Sequence, residues 1–240
     1  MSCDFNNQKF FDFIEELRKK HKNKNYNFKP HEFLKYLTIH LDDGSKLKKI
    51  IVKDKITLCE MKILANKCTG IVNLELTGTG SLKNGELYFY INRKNTRLDL
   101  KQKIPNADAD LSRRIVWHIH PWNISLDYKR NVPSFFSYED LRIAVNFPQK
   151  IFVIFNMNCD YSRLPVIYLV CCNNPKMKKN KAKRVLDDVY RDTYDKFLSG
   201  NYDVDFKEIQ RKFKEVEVNF HYMYRYDQRC MISWIERLCI

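Results

Sequence analysis

The spacing of apolar residues divides the chain into stretches of different period. Phe10, Phe13, Ile14 and Leu17 recur at helical spacing within residues 5 to 20, with Glu15, Glu16 and Arg18 to Lys20 between them, which predicts an amphipathic helix. The run His21 to Lys29, mostly Lys and Asn, reads as a polar connector, and Pro30 starts a second short helix through Leu37 before Asp42-Asp43-Gly44 turns the chain. From Leu47 the segments shorten. Lys49 to Lys53 predicts a strand, Ile56 to Ala65 a helix, Ile71 to Thr77 a strand and Gly85 to Ile91 another, the last two linked by a hairpin turn over Gly80 to Gly85 in which Asn84-Gly85 tolerates positive φ. A polar stretch, Asn92 to Arg114, leads into the apolar run Ile115-Val116-Trp117 and the segment His118-Ile119-His120-Pro121.

Further along, Ser137 precedes a predicted helix from Tyr138 to Val145. Ile151 to Phe155 and Val166 to Cys171, both rich in β-branched residues, read as central strands paired around the turn Asn156 to Pro165. Arg184 to Leu198 places Val185, Leu186, Val189, Tyr190, Phe197 and Leu198 on one helical stripe, and Gly200 caps it. The remaining region, Phe206 to Leu238, reads as helical and contains the dense aromatic stretch Phe220 to Tyr224. The expected class is α/β, organised as a helical N-terminal extension over 1–46, a mixed α/β domain over 47–174 and a basic, helical C-terminal extension over 175–240. There is no internal repeat.

Composition narrows the class without choosing a function. With 44% hydrophobic and 14% aromatic residues the chain can bury a core. Its net charge of +14 suits nucleic acid, anionic membrane or acidic protein partners alike, and the Lys/Asn bias is equally what an AT-rich coding genome produces. The eight cysteines contain no C-x-x-C, and several lie in apolar runs as free thiols do in reducing compartments. No apolar segment approaches membrane-span length and there is no signal-peptide core, so a cytoplasmic location is expected, with nuclear or virion-associated as alternatives. The same features suit a large cytoplasmic DNA virus.

His118 and His120 stand at i and i+2, so on a strand both imidazoles leave one face, the way a strand offers two nitrogens to one metal. An His-x-His pair can equally be structural. The Ser137-x-x-Asp140 motif at the start of the following helix can bring a carboxylate to a third position, leaving the fourth to water, whose pKa falls toward 7 on zinc. Ser137 has two compatible readings: a helix N-cap that accepts from the Asp140 amide, and a hydroxyl able to stabilise an oxyanion.

His-x-His-Pro followed by Ser-x-x-Asp resembles the JAMM signature of the JAB/MPN metalloprotease family, and the element order over roughly residues 48 to 172 is similar as well. The resemblance implies a cytidine-deaminase-like mixed sheet and a Zn2+ site with His118, His120 and Asp140 as ligands. It implies that Ser137 supports the tetrahedral intermediate while zinc-bound hydroxide attacks an amide or isopeptide carbonyl. Ubiquitin or ubiquitin-like conjugates are the implied substrates, as for a deubiquitinase. Sixteen residues, 121 to 136, separate His120 from Ser137, more than is usual in the family, which makes residues 122 to 132 an insertion beside the substrate groove; Ser134 is a competing serine without an acid three residues on. The family's catalytic glutamate lies before a strand-ending glycine. If that glycine is Gly78 the position falls near Gly70-Ile71, which has no carboxylate; Glu75 is the nearest acid and the candidate proton shuttle, with Glu60 in the preceding helix as another. The competing reading makes Glu75 a solvent-facing residue on a strand face with Asn73 and Thr77, and the protein an inactive scaffold or virion structural component of the same fold.

Two other stretches carry charge or aromatics. Lys176 to Arg184 has six basic residues in nine and reads as a nucleic-acid contact, a nuclear import signal or a solvated loop ahead of a helix. Tyr222 to Arg229 interleaves aromatics with arginine, as base-stacking surfaces do and as the edge of a core also does. Gly78-Thr79-Gly80 is not a phosphate loop, and His221 and Cys230 read as isolated.

Overall fold

The computed structural model describes residues 55–72, 77–91, 114–120, 123–124, 131–132, 135–156 and 164–238. The helices predicted within 5–20 and 30–37 and the strand predicted at 49–53 lie outside them. Among the described residues the chain is mixed α/β, with five helices and a six-stranded mixed sheet. In chain order the elements are α1 (Leu58–Val72), β1 (Thr77–Lys83), β2 (Glu86–Ile91), β3 (Ile115–Ile119), β4 (Asn123–Ile124), β5 (Asn131–Val132), α2 (Tyr138–Asn146), β6 (Ile151–Phe155), β7 (Ile167–Cys171), α3 (Lys179–Leu198), α4 (Phe206–Lys214), β8 (Asn219–Met223) and α5 (Gln228–Leu238).

The sheet order is β2-β1-β3-β6-β7-β8, and only the central pair, β3 with β6, is parallel. A parallel pair needs a crossover, and α2 is that crossover. Every residue of β3, β6 and β7 is buried, as expected for strands covered by helices on both faces. On one face α1 and α5 close over Trp117, Val153, Phe155 and Leu169. On the other, α2, α3 and α4 close over Val116, Phe152, Ile154, Tyr168 and Val170. The period of two along each strand therefore sorts neighbours into separate cores: Trp117 enters the first, and Val116 the second.

Local chemistry sets the element ends. Asn84 (φ 53°) and Gly85 (φ 73°) form the two-residue turn between Lys83 and Glu86, whose twist matches a hairpin. Thr57 and Glu60 bond reciprocally at the start of α1: the Thr57 N–H donates to Glu60 Oε2 at 2.9 Å, and the Glu60 N–H donates to Thr57 Oγ1 at 3.3 Å. Glu60, weighed above for proton transfer, thus serves as a helix cap. Gly200, at φ 76°, lets the chain leave α3.

Three expectations are corrected. The hairpin link expected over Gly80 to Gly85 is only two residues long, because Gly80 to Lys83 pair with Glu86 to Phe89 as part of β1. The strand placed over Ile71 to Thr77 does not form over its first residues: α1 runs on through Val72, and β1 begins only at Thr77. Met61, Leu64, Ala65, Cys68 and Val72 continue a helical spacing in the sequence, and this outweighs the local β-branched residues. The tail from Phe206 to Leu238 is not wholly helical either. Its aromatic stretch is β8, paired with β7 from Ile167↔Met223 to Cys171↔Asn219, with Phe220 in one core and Met223 in the other.

Trp117 ties the centre of the sheet together. Fully buried, it packs edge-on against Phe89 and Phe155 and donates its indole N–H to the Thr79 carbonyl at 2.9 Å. It fits because its antiparallel partner is Gly78: a Cβ there would lie 2.0 Å from the Tyr90 carbonyl oxygen and 2.6 Å from the indole ring. Gly78→Ala is expected to destabilise the fold by roughly 3–5 kcal/mol, the cost of losing a buried tryptophan's packing, read as a lower midpoint in urea; an unchanged midpoint would show that β1 is not held against Trp117.

Candidate metal centre

The second face of β3 carries different chemistry. Val116, His118 and His120 share the parity that faces α2, so the alternation that buries Trp117 on one side sends both imidazoles to the other. The backbone holds them there: His118 pairs with Thr77 of β1 and Ile154 of β6, and the His120 N–H donates to the Phe155 carbonyl at 3.0 Å.

Asp140 arrives from the opposite layer, in the first turn of α2. The Asp140 N–H donates to Ser137 Oγ at 3.2 Å, and the Ser137 N–H donates to Asp140 Oδ2 at 2.7 Å. This capping box satisfies two amides at the helix start and fixes the carboxylate rotamer. Ser137 accepts in the box, so its own hydroxyl hydrogen stays available to donate elsewhere.

The three side chains converge. His118 Nε2 lies 3.5 Å from Asp140 Oδ1, His120 Nε2 lies 3.4 Å from Asp140 Oδ2, and the two Nε2 atoms are 2.6 Å apart. All three residues are buried, between 5% and 7% exposed. Burial alone would raise the Asp140 pKa, but the charge and hydrogen bonding of His118, with those of His120, outweigh it and hold the carboxyl well below its ordinary value. Two imidazole lone pairs do not face each other this closely without a proton or a cation between them.

This donor set fits a metal ion. Ligands at about 2.0–2.1 Å from a tetrahedral zinc stand about 3.3 Å apart, close to both imidazole-to-carboxylate separations, while the two nitrogens would open slightly to admit the ion. Among the described residues His118, His120 and Asp140 are the group of His, Cys, Asp or Glu able to share one ion. Only two buried side-chain polar atoms among the described residues have no hydrogen-bond partner, His120 Nδ1 and Thr77 Oγ1. The first belongs to this cluster, and the second stands opposite His118 on the same face of the sheet.

Other expected site residues fall differently. Glu75, Ser134 and residues 125–130 lie outside the described residues, as do 73, 74 and 76, while Gly70 and Ile71, where the resemblance put the glutamate, are inside α1. Within the proposed insertion, Asn123–Ile124 pairs antiparallel with Asn131–Val132. Thr77, read as solvent-facing, is 3% exposed and turned to the α2 layer, because pairing of β1 with β3 puts that face inside. His221 and Cys230 are not isolated from each other: Cys230 Sγ lies 3.5 Å from His221 Nε2, and His221 stacks on Trp234, which leaves the pair one ligand short of a metal group. Lys176 to Arg184 spans a turn and the first turns of α3, with Ala182 buried and most of the basic residues exposed. Tyr190, on the predicted apolar stripe of α3, packs against Tyr138 at the start of α2 with ring centroids 6.4 Å apart. Burial, then the neighbouring Tyr194 and Asp140, raise the pKa of its hydroxyl above the ordinary tyrosine value. A cavity of about 500 Å³ beside Arg114, Lys150, Cys171 and Leu238 lies at the N-terminal end of β3 and β6, away from the histidines.

The depressed Asp140 pKa has a definite sign. A carboxyl held below its unfolded value stabilises the fold above about pH 4, and that contribution disappears as pH falls through the folded value. In metal-free protein the stability difference between wild type and Asp140→Asn should therefore shrink as pH drops from about 5 toward 2 in chemical denaturation; a difference independent of pH would show that the carboxylate charge is not engaged. Among the described residues no helix is long and apolar enough to cross a membrane. Compared with family models, curated proteins and solved structures, the chain matches none of them.

Proposed function

We propose that this chain is a zinc-dependent hydrolase of amide or isopeptide bonds, built on a mixed sheet of the JAB/MPN type and acting on ubiquitin or ubiquitin-like conjugates. The observation that carries the reading is the convergence of two strand imidazoles and one helix-cap carboxylate in a buried cluster. Two neutral nitrogens and one carboxylate are a donor set that catalytic zinc sites use, with the remaining position left open. A zinc ion held by His118, His120 and Asp140 would supply Lewis acidity there and a bound water with a pKa near 7.

The protein's own groups divide the remaining work. His118 and His120 would hold the ion from one strand, and Asp140, tied to the Ser137 amide, would hold it from α2. The free Ser137 hydroxyl hydrogen is suited to an oxyanion. Glu75 is the proton carrier in this reading, supported by its position two residues before Thr77, the residue opposite His118. Purified protein is expected to hold one zinc per chain and to lose it in His118→Ala. In a di-ubiquitin cleavage assay Glu75→Gln should keep the zinc while turnover falls roughly 10²–10⁴-fold. Absence of zinc from the wild type ends the reading, and equal turnover in the two proteins removes Glu75 from it.

One observation favours a second role, as a scaffold whose basic flank binds nucleic acid. α3 begins with exposed lysines, no acid in its first turn and no side-chain cap, so its positive helix end is left uncompensated and an anion there is stabilised. RNA or DNA affinity should then fall steeply with salt, and the slope should flatten when Lys178, Lys179, Lys181 and Lys183 are changed to Gln. Identical slopes would exclude this surface.

A further inference from the structure

Thr77 is the first residue of β1 and pairs directly with His118 of β3. Directly opposed residues of an antiparallel pair project to the same face with their Cβ atoms about 5 Å apart, so the Thr77 side chain lies beside the His118 imidazole. It is 3% exposed, and its hydroxyl has no hydrogen-bond partner. Burying an unpaired hydroxyl is unfavourable, and such groups are few in folded proteins. A valine of the same shape would fill the position without that cost. The other such atom among the described residues, His120 Nδ1, belongs to the same cluster. His120 Nδ1 lies on the ring edge turned away from the Nε2 that faces Asp140, so it is the Thr77 hydroxyl that stands unsatisfied beside the cluster, where three ligands leave a tetrahedral ion one position short.

We infer that Thr77 is a positioning residue of the metal centre, its hydroxyl hydrogen-bonding the water molecule that completes the ion's shell. This rests on the metal reading above and extends it, because the three ligands leave one position that no protein atom among them fills. A hydroxyl suits this position because it both donates and accepts, so it can hold a water in either protonation state, and it adds no charge to the centre. Its anchor is the strand pairing itself, the same β1–β3 contact that seats Trp117 against Gly78 on the reverse face.

Cobalt(II) replaces zinc in such sites and reports its coordination through its visible spectrum. The test compares wild type, Thr77→Val and Thr77→Ser by Co²⁺ titration against a competing chelator, by that spectrum, and by urea unfolding without metal. Thr77→Val should bind one Co²⁺ with about tenfold or greater loss of affinity, as when outer-shell partners of a metal are removed, and with an altered spectrum. Thr77→Ser should restore both. Without metal Thr77→Val should be at least as stable as wild type, since the unpaired hydroxyl is gone. Unchanged affinity and spectrum in Thr77→Val, a loss that serine does not restore, or lower metal-free stability each overturns the assignment. A wild type that takes up no Co²⁺ overturns the metal reading together with it, so the two failures are told apart.

Discussion

The strict alternation of β3 is the constraint from which the rest of the centre follows. Five consecutive buried residues sit between two cores, and side chains at odd positions cannot exchange faces with those at even positions without moving the whole strand by one residue. Trp117 removes that freedom: it packs against Gly78, where even a Cβ would clash with the indole, and its indole N–H is bound to the Thr79 carbonyl. With Trp117 fixed, His118 and His120 have no choice of direction. A bulky apolar residue thus determines where two polar ones point.

The opposite wall of the centre is held by different physics. Asp140 is placed by a helix start, and the interaction that orients it is a reciprocal pair of hydrogen bonds with Ser137 rather than packing. Burying a carboxylate is unfavourable unless it is paired, and here a backbone amide and two imidazoles supply the partners. The helix in question is also the crossover between the two parallel strands, so the distance between imidazoles and carboxylate is set by how α2 packs on β6 and β7. Phe136, Leu141, Ala144 and Val145 make that packing.

Much of this was legible in the sequence because it depends on short-range order. The continuous runs Ile151 to Phe155 and Ile167 to Cys171 can hardly be anything but central strands, and Asn84-Gly85 and Gly200 announce a turn and a helix end through backbone freedom alone. His118, His120 and Asp140 were readable for the same reason: a period of two and a cap motif each fix a side chain relative to its own element. What escaped depends on pairing between distant segments. Thr77 looks like one more polar residue until β1 is laid against β3. Likewise Phe220 and its neighbours lie between two amphipathic helices and borrow their appearance, and only the unsatisfied edge of β7 makes a strand of them. The end of α1 was misjudged because Ile71 and Val72 favour strands, while the helical spacing that begins at Leu58 carries through them.

The capping box has a consequence beyond geometry. One carboxylate serves two masters, holding the amide at the mouth of a helix and facing the imidazoles across from it. Anything that draws on that carboxylate therefore adjusts the opening equilibrium of the first turn of α2, and through the crossover it reaches the middle of the sheet. By linkage, an occupant of the centre that binds only the folded chain adds its binding free energy to the cohesion of the β3–α2–β6 unit. The buried His118, His120 and Asp140 cluster is in this sense also a latch, and the strength with which the fold is fastened would become a property of what that cluster holds.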